Sequence, residues 1–505
     1  MLPPLRSNNS INMLNHLSRW FRSYAFWSAL LVMLGILRVF QVALHTPMVG
    51  YANQFDMIRM HSCFGIWPDQ PGINPIASYS KAPINSYKMG GLIDPEDCYQ
   101  SSEKLFVQLG ILAGELKNYW FDRPEQQFEL QTVGLMKAGM LCLAACWLAW
   151  LYRKRPPAML AQAAIFALVI ADPYNTLWLN TLYTEFAALY FAYLSAVLTH
   201  YLLTAEKSVL TVRLVFLVSL FMLGLAKMQH LLLPSLLGGM VLLAWYRKHN
   251  REKLFPLCIV VVCLTVLLVQ QQANHANRHM QFARAANAAD TYLGAVLPAM
   301  RDPAQGVKLL GLPDRCAHYV GYTWYEQHGI DLDKECPEVF DVPRWRLLRV
   351  IAHDPKLVLN MLGHALPETQ KWNIDYLGQI EGGDVDKLDM GFSSRFFSFA
   401  TLVQKLPAKL FMGLYVLLGV AWLYATVKFL QFLFQRCEQV PWLVLISTSV
   451  VWMVIFASIF GDGYEEITKH AHLSYGFFQV LIFALFAGWP IAIVEKLKLF
   501  EICRF

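Results

Sequence analysis

Residues 254–271 read LFPLCIVVVCLTVLLVQQ, an apolar run without a charged side chain. A run of about 18 or more such residues is long enough to cross the hydrocarbon core of a bilayer as a helix. Working outward, nine further largely apolar stretches occur, three of them shorter than 18 residues: 25–46, 129–151, 158–171, 185–203, 211–226, 231–246, 408–432, 440–460 and 474–494. The sequence therefore predicts an all-α polytopic membrane protein with about ten transmembrane helices. For the shortest runs, the alternative is a buried or re-entrant helix that does not cross the membrane.

The composition excludes several other classes of protein. Of 505 residues, 56% are hydrophobic and 15% are charged, and the mean hydropathy is +0.37. Soluble domains usually carry about 25% charged residues. The formal net charge is +6, but the basic residues lie in short clusters beside the apolar runs. Such clusters do not form the continuous basic surface that nucleic-acid binding requires, so we expect membrane lipids as partners and no nucleic acid.

Lysine and arginine near the ends of the runs predict the orientation. Basic clusters follow the second, sixth and tenth runs, at 152–155, 246–251 and 495–498. Because cytoplasmic loops carry an excess of Lys and Arg, both termini are expected in the cytoplasm and the long loops outside. The predicted parts are a cytoplasmic segment 1–24, a module of about seven helices 25–271 that includes an outer loop 47–128, a second outer loop 272–407, and C-terminal helices with a cytoplasmic tail 408–505.

Both outer loops have signs of ordered structure. Residues 102–118 and 343–365 place apolar side chains at helical spacing, with Pro343 as an opener of the second stretch. Each loop also holds one pair of cysteines, which predicts the disulfide bonds Cys63–Cys98 and Cys316–Cys336. Free or partly buried thiols are the alternative. No Cys-x-x-Cys or Cys/His zinc spacing occurs in the sequence.

Polar clusters interrupt the apolar pattern at four places, all on the predicted outer side. The first is YANQFDMIR at 51–59, where Asp56 and Arg59 are three residues apart and would share a helix face. A carboxylate beside a guanidinium keeps its charge and is suited to act as a general base. The second is 172–185, which joins the third and fourth runs. The structural alternative is a helix-capping Asp for the first cluster and a polar turn for the second.

The third and fourth clusters add cations. Residues 227–230 read KMQH between two closely spaced runs, where cationic side chains at headgroup depth would bind a lipid phosphate or simply snorkel to the interface. Residues 461–472 read GDGYEEITKHAH and combine carboxylates, a lysine and two histidines. His470 and His472 do not share a helix face, so this pattern does not favour a metal site. Ionisable residues at a membrane face indicate function by default, and we expect the four clusters to meet in one pocket.

The order of these clusters resembles the GT-C superfamily of membrane glycosyltransferases. The similar features are an Asp just after the first span, a polar hairpin between the third and fourth spans, and a large late outer loop. Within GT-C, the segments are most similar to WsfD-type hexosyltransferases and to the arabinosyltransferases that decorate bacterial type IV pilins: ANQFDMIR at 52–59, NTLYTE at 180–185, KMQH at 227–230 and GDG with KH between 461 and 470. The resemblance spans nearly the whole chain, although each motif is short.

The resemblance implies an inverting glycosyltransferase at the periplasmic face of a bacterial inner membrane. It would move a single sugar, a pentose such as arabinofuranose or a hexose, from a polyprenyl-phosphate donor to a glycan, lipid or pilin-like protein acceptor. Asp56 matches the catalytic Asp of the first loop and would be the base. The expected substrate-binding residues are Arg59, Asp172, Asn180, Glu185, Lys227, Gln229, His230, Lys469 and His470.

The chain departs from one branch of the superfamily. The oligosaccharyltransferase branch holds a divalent metal with acidic pairs and a Trp-Trp-Asp motif, whereas no Trp-Trp-Asp occurs here and Asp56 has no adjacent acidic residue. We therefore expect an enzyme without metal or cofactor. The alternatives are a polymerase or ligase of polyprenyl-linked glycans, and a transporter. A transporter would show paired charges at mid-membrane and inverted repeats.

Overall fold

The computed structural model describes residues 23–483, apart from 70–82, 123, 125, 206–207, 249–251, 274, 276, 325–330, 375, 383–397 and 435–438. Almost all of the segment predicted as cytoplasmic at 1–24, and the tail beyond residue 483, therefore lie outside the described residues.

The described chain is built mainly from helices. In chain order they are α1 (Tyr24–Ala43), α2 (Gln54–Phe64), α3 (Glu103–Trp120), α4 (Leu130–Leu151), α5 (Pro156–Ile165), α6 (Pro173–Thr176), α7 (Glu185–Thr204), α8 (Leu210–Ala226), α9 (Leu233–Lys248), α10 (Leu254–Ala273), α11 (Arg278–Ala289), α12 (Leu297–Ala299), α13 (Pro303–Leu310), α14 (Leu332–Glu335), α15 (Arg346–His353), α16 (Lys356–Glu368), α17 (Phe399–Gln404), α18 (Ala408–Leu433), α19 (Trp442–Asp462), α20 (Ile467–His470) and α21 (His472–Phe483). Single π-helical turns continue α5 over Phe166–Ile170 and α11 over Asp290–Val296. Short 3₁₀ turns lie at Met228–His230, Asp314–Tyr319 and Pro337–Asp341.

Seven helices of the described chain are long and apolar enough to cross a membrane. They are α1, α4, α7, α9 with the 3₁₀ turn before it, α10, α18 and α19. Three shorter apolar helices, at Pro156–Ile170, Leu210–Ala226 and His472–Phe483, occupy the remaining predicted runs. The predicted all-α polytopic fold is confirmed. Of the shortest predicted runs, 158–171 and 211–226 form short helices, whereas 231–246 lies in a helix long enough to span. The run 474–494 is described only as far as residue 483.

Two small antiparallel sheets hold the loops together at one end of the bundle. Strands β2 (Trp67–Pro68), β3 (Ser86–Lys88) and β4 (Gln127–Glu129) form a sheet within the first loop. Strand β1 (Val49–Ala52) pairs with β5 (Gly378–Ile380) and so joins the first loop to the second. Beside this pair, Glu381 accepts hydrogen bonds from the backbone N–H groups of Met48 and Asn85, at 3.4 and 3.0 Å. We call this end of the bundle the loop end.

The stretch predicted as one helix at 343–365 forms two. Helix α15 ends before Asp354, whose φ of −126° and ψ of 83° are not helical, and α16 begins after Pro355. The ring of a proline disfavours helical backbone in the residue before it, which explains the break. The stretch predicted at 102–118 forms α3, which buries Phe106 and Ile111 and leaves Leu112 and Leu116 exposed.

A fully buried ion pair ties α3 to the bundle. The Nζ of Lys137 on α4 lies 2.6 Å from Oε1 of Glu103 at the start of α3, and neither side chain is exposed. Lys137 also donates to the carbonyl of Thr181, at 2.6 Å, and Glu103 Oε2 accepts from the N–H of Ala187 on α7, at 3.0 Å. Because these bonds satisfy both charges inside the fold, α3 is fixed against α4 and α7.

The structure contains the disulfide bonds Cys63–Cys98 and Cys316–Cys336, with Cα–Cα distances of 4.6 and 5.5 Å. The first joins α2 to the segment before α3, and the second closes a turn of the second loop.

We expect these bonds in protein purified from cells. Alkylation of the denatured chain should add four more labels after reduction than before it, because two disulfides release four thiols. Intact-mass measurement provides the count, and peptide mapping should assign the four new labels to these cysteines. An unchanged label count would contradict the prediction.

Candidate functional site

Asp56 lies at the loop end, in the first turn of α2, directly after β1. Its Oδ1 is 3.2 Å from Nη2 of Arg59, one helical turn later, as the spacing predicts. Its Oδ2 accepts a hydrogen bond from the hydroxyl of Tyr183, at 2.8 Å, and lies 3.3 Å from Nζ of Lys469. The first and fourth polar clusters of the sequence therefore meet at this carboxylate, and Tyr183 connects the second cluster to it.

The third cluster joins the same network through Lys227. This residue is extended and links α8 to the 3₁₀ turn at Met228–His230. Its Nζ lies 2.8 Å from Oε1 of Glu185, at the start of α7, and 3.2 Å from Nδ1 of His470. All four clusters thus contribute side chains to one continuous set of polar contacts at the loop end.

Gln229 and His470 form the centre of this set. The amide nitrogen of Gln229 donates to the backbone carbonyl of His470, at 2.5 Å, and to the hydroxyl of Ser458, at 2.7 Å. The amide oxygen of Gln229 faces Nδ1 of His470 at 3.0 Å. On the other side of the ring, Nε2 of His470 lies 2.6 Å from Oδ2 of Asp462.

Glu466 connects the two halves of the set. Its carboxylate pairs with Lys469, the partner of Asp56, and lies 3.6 Å from Nε2 of His470, the partner of Lys227. Its backbone is left-handed, with φ of 47°, which is uncommon for a side-chain-bearing residue. Such backbone strain is often found at functional sites.

Three site residues were not singled out from the sequence: Tyr183, Asp462 and Glu466. For the two acids a signal exists, because Asp462, Glu466 and His470 are spaced at intervals of four. Tyr183 lies within the second polar stretch, but no spacing distinguishes its hydroxyl from those of its neighbours.

Two predicted substrate-binding residues lie elsewhere in the fold. Asp172 is fully buried, pairs with Arg38 at 3.3 Å, and accepts hydrogen bonds from the Ser398 hydroxyl and the Phe399 N–H, both at 2.7 Å. Asn180 is buried and donates to the carbonyl of Val49, at 2.9 Å. Their contacts connect loop segments to the bundle and favour a structural role.

His230 is also buried, at 1% exposure, directly after Gln229. Its Nδ1 has no hydrogen-bond partner within the part of the chain that the structure describes. The structure therefore leaves Asp56, Arg59, Glu185, Lys227, Gln229, Lys469 and His470 as the predicted residues that share the contact set.

The charges in the site alter one another's protonation. Burial by itself would raise the pKa of Asp56, but the ammonium of Lys469 and the guanidinium of Arg59 outweigh it and hold the pKa below its usual value. Burial likewise opposes the charge of Lys469, but Asp56 and Glu466 raise its pKa well above the ordinary value. Both groups are therefore charged at neutral pH, and Asp56 carries no proton.

An apolar groove runs into the bundle between α5, α7, α19 and α21. The space along it that protein atoms leave unfilled is about 820 Å³, a figure that includes space open to the outside. At the loop end it is lined by Asn175 and Leu473, next to the site residues of the last hairpin. At the other end it is lined by Tyr152 and His200. The lining between these ends is almost entirely apolar, so the groove is suited to a long hydrocarbon chain.

A family described as the YfdI N-terminal transmembrane domain matches residues 12–498. The chain belongs to this family. The match extends over nearly the whole sequence, so the YfdI-type transmembrane domain includes both loops and every site residue described above. The family description fits the multi-pass helical fold and names no reaction. No curated protein and no solved structure matches the chain.

Proposed function

We propose that this YfdI-family protein is an inverting glycosyltransferase that takes a single sugar from a polyprenyl-phosphate donor. The observation that carries the proposal is the contact of Asp56 with Lys469 at the loop end, where the charges of four distant segments meet. A carboxylate that stays ionised is suited to accept a proton, and nearby cations are suited to bind a phosphate. The loop end would face the periplasm of a bacterial inner membrane, as the distribution of basic residues predicts.

The proposed reaction is one displacement. The acceptor hydroxyl attacks the anomeric carbon of the sugar from the side opposite the phosphate, and its proton passes to Asp56. The bond from the anomeric carbon to the phosphate oxygen breaks, and the electron pair leaves with the phosphate. Lys227 and Lys469 would stabilise this anion. A phosphate that attracts Lys469 would also weaken its hold on Asp56, which makes the carboxylate a stronger base when substrate is bound.

The apolar groove supports a lipid donor. A polyprenyl chain is hydrocarbon throughout, and the groove offers an apolar lining that begins beside the last hairpin at Leu473. A chain held there would leave its phosphate and sugar at the loop end, within reach of the cations. Glycans, lipids and pilin-like proteins remain the proposed acceptors, and pentose and hexose the proposed sugars.

The test is a transfer assay with purified protein in detergent. The full chain is incubated with polyprenyl-phosphate hexose or polyprenyl-phosphate pentose and with a panel of glycan, lipid and pilin acceptors. We expect release of polyprenyl phosphate and a product of inverted anomeric configuration, identified by mass spectrometry and NMR. Binding of donor without release of polyprenyl phosphate on any acceptor would contradict the proposal.

The pH dependence of transfer should reveal the pairing of Asp56. Because its pKa lies below the ordinary value, the carboxylate stays ionised as the pH falls through the usual carboxyl range. The rate should therefore persist into acid and fall only once the pH approaches the lowered pKa. Lys469→Met removes the stronger of the two positive charges that lower the pKa of Asp56. The acid limb of its pH–rate profile, where the rate falls as Asp56 is protonated, should therefore lie at higher pH than in the wild type.

Initial rates from pH 8 down to about pH 3, below the ordinary carboxyl pKa, would test this, with Lys334→Met on the exposed part of the second loop as the control. An acid limb at the same pH in Lys469→Met and in the wild type would contradict the assignment of the charge pair.

A further inference from the structure

The carboxylates of the site outnumber its permanent cations. The contact set contains four carboxylates, Asp56, Glu185, Asp462 and Glu466, and three permanent cations, Arg59, Lys227 and Lys469. A phosphate-bearing substrate would add a further negative charge. Coulomb repulsion in a partly buried site is strong, so this balance disfavours an anionic donor unless another positive charge is present.

The geometry around His470 indicates where such a charge would lie. The backbone carbonyl of His470 can only accept, so the Gln229 nitrogen 2.5 Å away must face it. This fixes the Gln229 oxygen against Nδ1 of His470, at 3.0 Å. The Nζ of Lys227 lies beside the same ring nitrogen, at 3.2 Å.

The other ring nitrogen faces two carboxylates. Nε2 of His470 lies 2.6 Å from Asp462 and 3.6 Å from Glu466. A cation bound between Nε2 and the two carboxylates would be ligated by all three side chains.

The three ligand atoms have the compactness of a metal site. Those of Asp462, Glu466 and His470 all lie within 4.8 Å of one another. An ion at about 2.0–2.2 Å from each ligand holds such atoms roughly 3.0–4.5 Å from each other, so Nε2 of His470 and Oδ2 of Asp462, which are 2.6 Å apart, would separate slightly to admit it. The Gln229 oxygen corresponds to the carbonyl that commonly orients a metal-bound histidine through its second nitrogen.

A buried carboxyl group beside this triad also indicates a cation site. Asp290 is 1% exposed, and its Oδ2 has no hydrogen-bond partner among the described residues. It lies one helical turn after Asn287. With the Asn287 amide oriented so that its nitrogen faces Asp462, that nitrogen donates to the Asp462 carboxylate at 2.8 Å. The carbonyl of Asp290 packs closely against Gly463, the neighbour of Asp462. Residues three apart share a helix face, so Asp290 lies on the face of its helix directed at Asp462.

We propose that Asp462, Glu466 and His470 bind one divalent cation, of the Mn²⁺ or Zn²⁺ type that mixed imidazole and carboxylate ligands favour. The role of this site in catalysis rests on the proposed function. The cation would replace Lys469 as the partner of Glu466 and leave positions open for an oxygen of the departing phosphate. It would also offset the excess negative charge. This inference replaces the expectation of a metal-free enzyme, which followed from the lack of acidic pairs next to Asp56.

Metal binding is measured without any sugar donor. The full chain, purified in detergent without a histidine tag, is stripped with EDTA, dialysed and titrated with Mn²⁺ while EPR follows the free aqueous ion. We expect one Mn²⁺ per chain, with nitrogen coupling in the pulsed EPR spectrum, and displacement by Zn²⁺. His470→Gln should remove the nitrogen coupling, and Asp462→Asn should weaken binding by at least about tenfold.

The matched control is Glu338→Gln, an exposed carboxyl group beside the Cys316–Cys336 disulfide, which should bind Mn²⁺ like the wild type. Size-exclusion chromatography and thermal unfolding establish that each variant is folded. Absence of bound Mn²⁺ and Zn²⁺ from the folded wild type, or equal affinity in His470→Gln, overturns the proposal.

The transfer assay separates the two proposals. Full transfer by metal-free protein would overturn the catalytic role of the cation and leave the glycosyltransferase standing. A bound cation in a protein that releases no polyprenyl phosphate would support the metal site and contradict the proposed function.

Discussion

Replacement of Asp56 by Asn is expected to lower the rate of sugar transfer by about 10²–10⁴-fold, the usual contribution of a general base. Asparagine keeps the size of the side chain and can still accept from the hydroxyl of Tyr183, which lies 2.8 Å from the wild-type oxygen. It cannot take a proton from the acceptor. Initial rates at saturating donor, with donor affinity measured separately, would show the loss in turnover.

The matched control for this variant is Asp331→Asn, which removes an exposed carboxylate in the second loop. Its transfer rate should equal that of the wild type. Donor affinity in Asp56→Asn should stay close to the wild-type value, because Asp56 is expected to contact the acceptor. Wild-type turnover by Asp56→Asn would remove the base from the mechanism and would leave the positions of the cations unaffected.

The second large effect concerns stability. Lys137→Met should lower the free energy of unfolding by about 3–5 kcal/mol, the usual cost of leaving one member of a buried ion pair without its partner. The carboxylate of Glu103 would then be buried without its cation, and the hydrogen bond to the Thr181 carbonyl would be lost. Unfolding by heat or denaturant in detergent micelles would measure the difference.

A second substitution separates charge from packing. In the double variant Lys137→Met with Glu103→Gln, the carboxamide can still accept from the Ala187 N–H and carries no charge. Most of the lost stability should therefore return. Lys334→Met, which breaks an exposed ion pair in the second loop, should leave stability unchanged. A double variant no more stable than Lys137→Met would assign the loss to packing.

Hydrophobicity made the helices predictable, because a membrane-spanning segment must satisfy its backbone internally and is long and apolar as a result. This physical requirement is local, so runs such as 254–271 could be placed from sequence. The break at Asp354 was missed although Pro355 signals it, because the apolar spacing continues across the proline.

The candidate site was less predictable, because its contacts join segments far apart in the chain. Asp56 and Arg59 were found through their helical spacing, and their contact is present. Asp172 and Asn180 share residue type and predicted depth with the site residues, but their partners are Arg38 and the backbone at Val49. Only tertiary packing distinguishes a polar group that holds two segments together from one that lines a pocket. The geometry around His470, which led to the cation proposal, likewise depends on the conformation of Gln229.

The separation of 413 positions between Asp56 and Lys469 has a consequence for biosynthesis. Ribosomes add residues from the amino terminus, so the proposed base is made long before its principal counter-charge. A chain still under translation, or one cut short before the last hairpin, therefore lacks Lys469 and His470 together. The contact set at the loop end can close only after nearly every helix has entered the bilayer. Under the proposed function, incomplete chains should consequently be inert toward lipid-linked sugars.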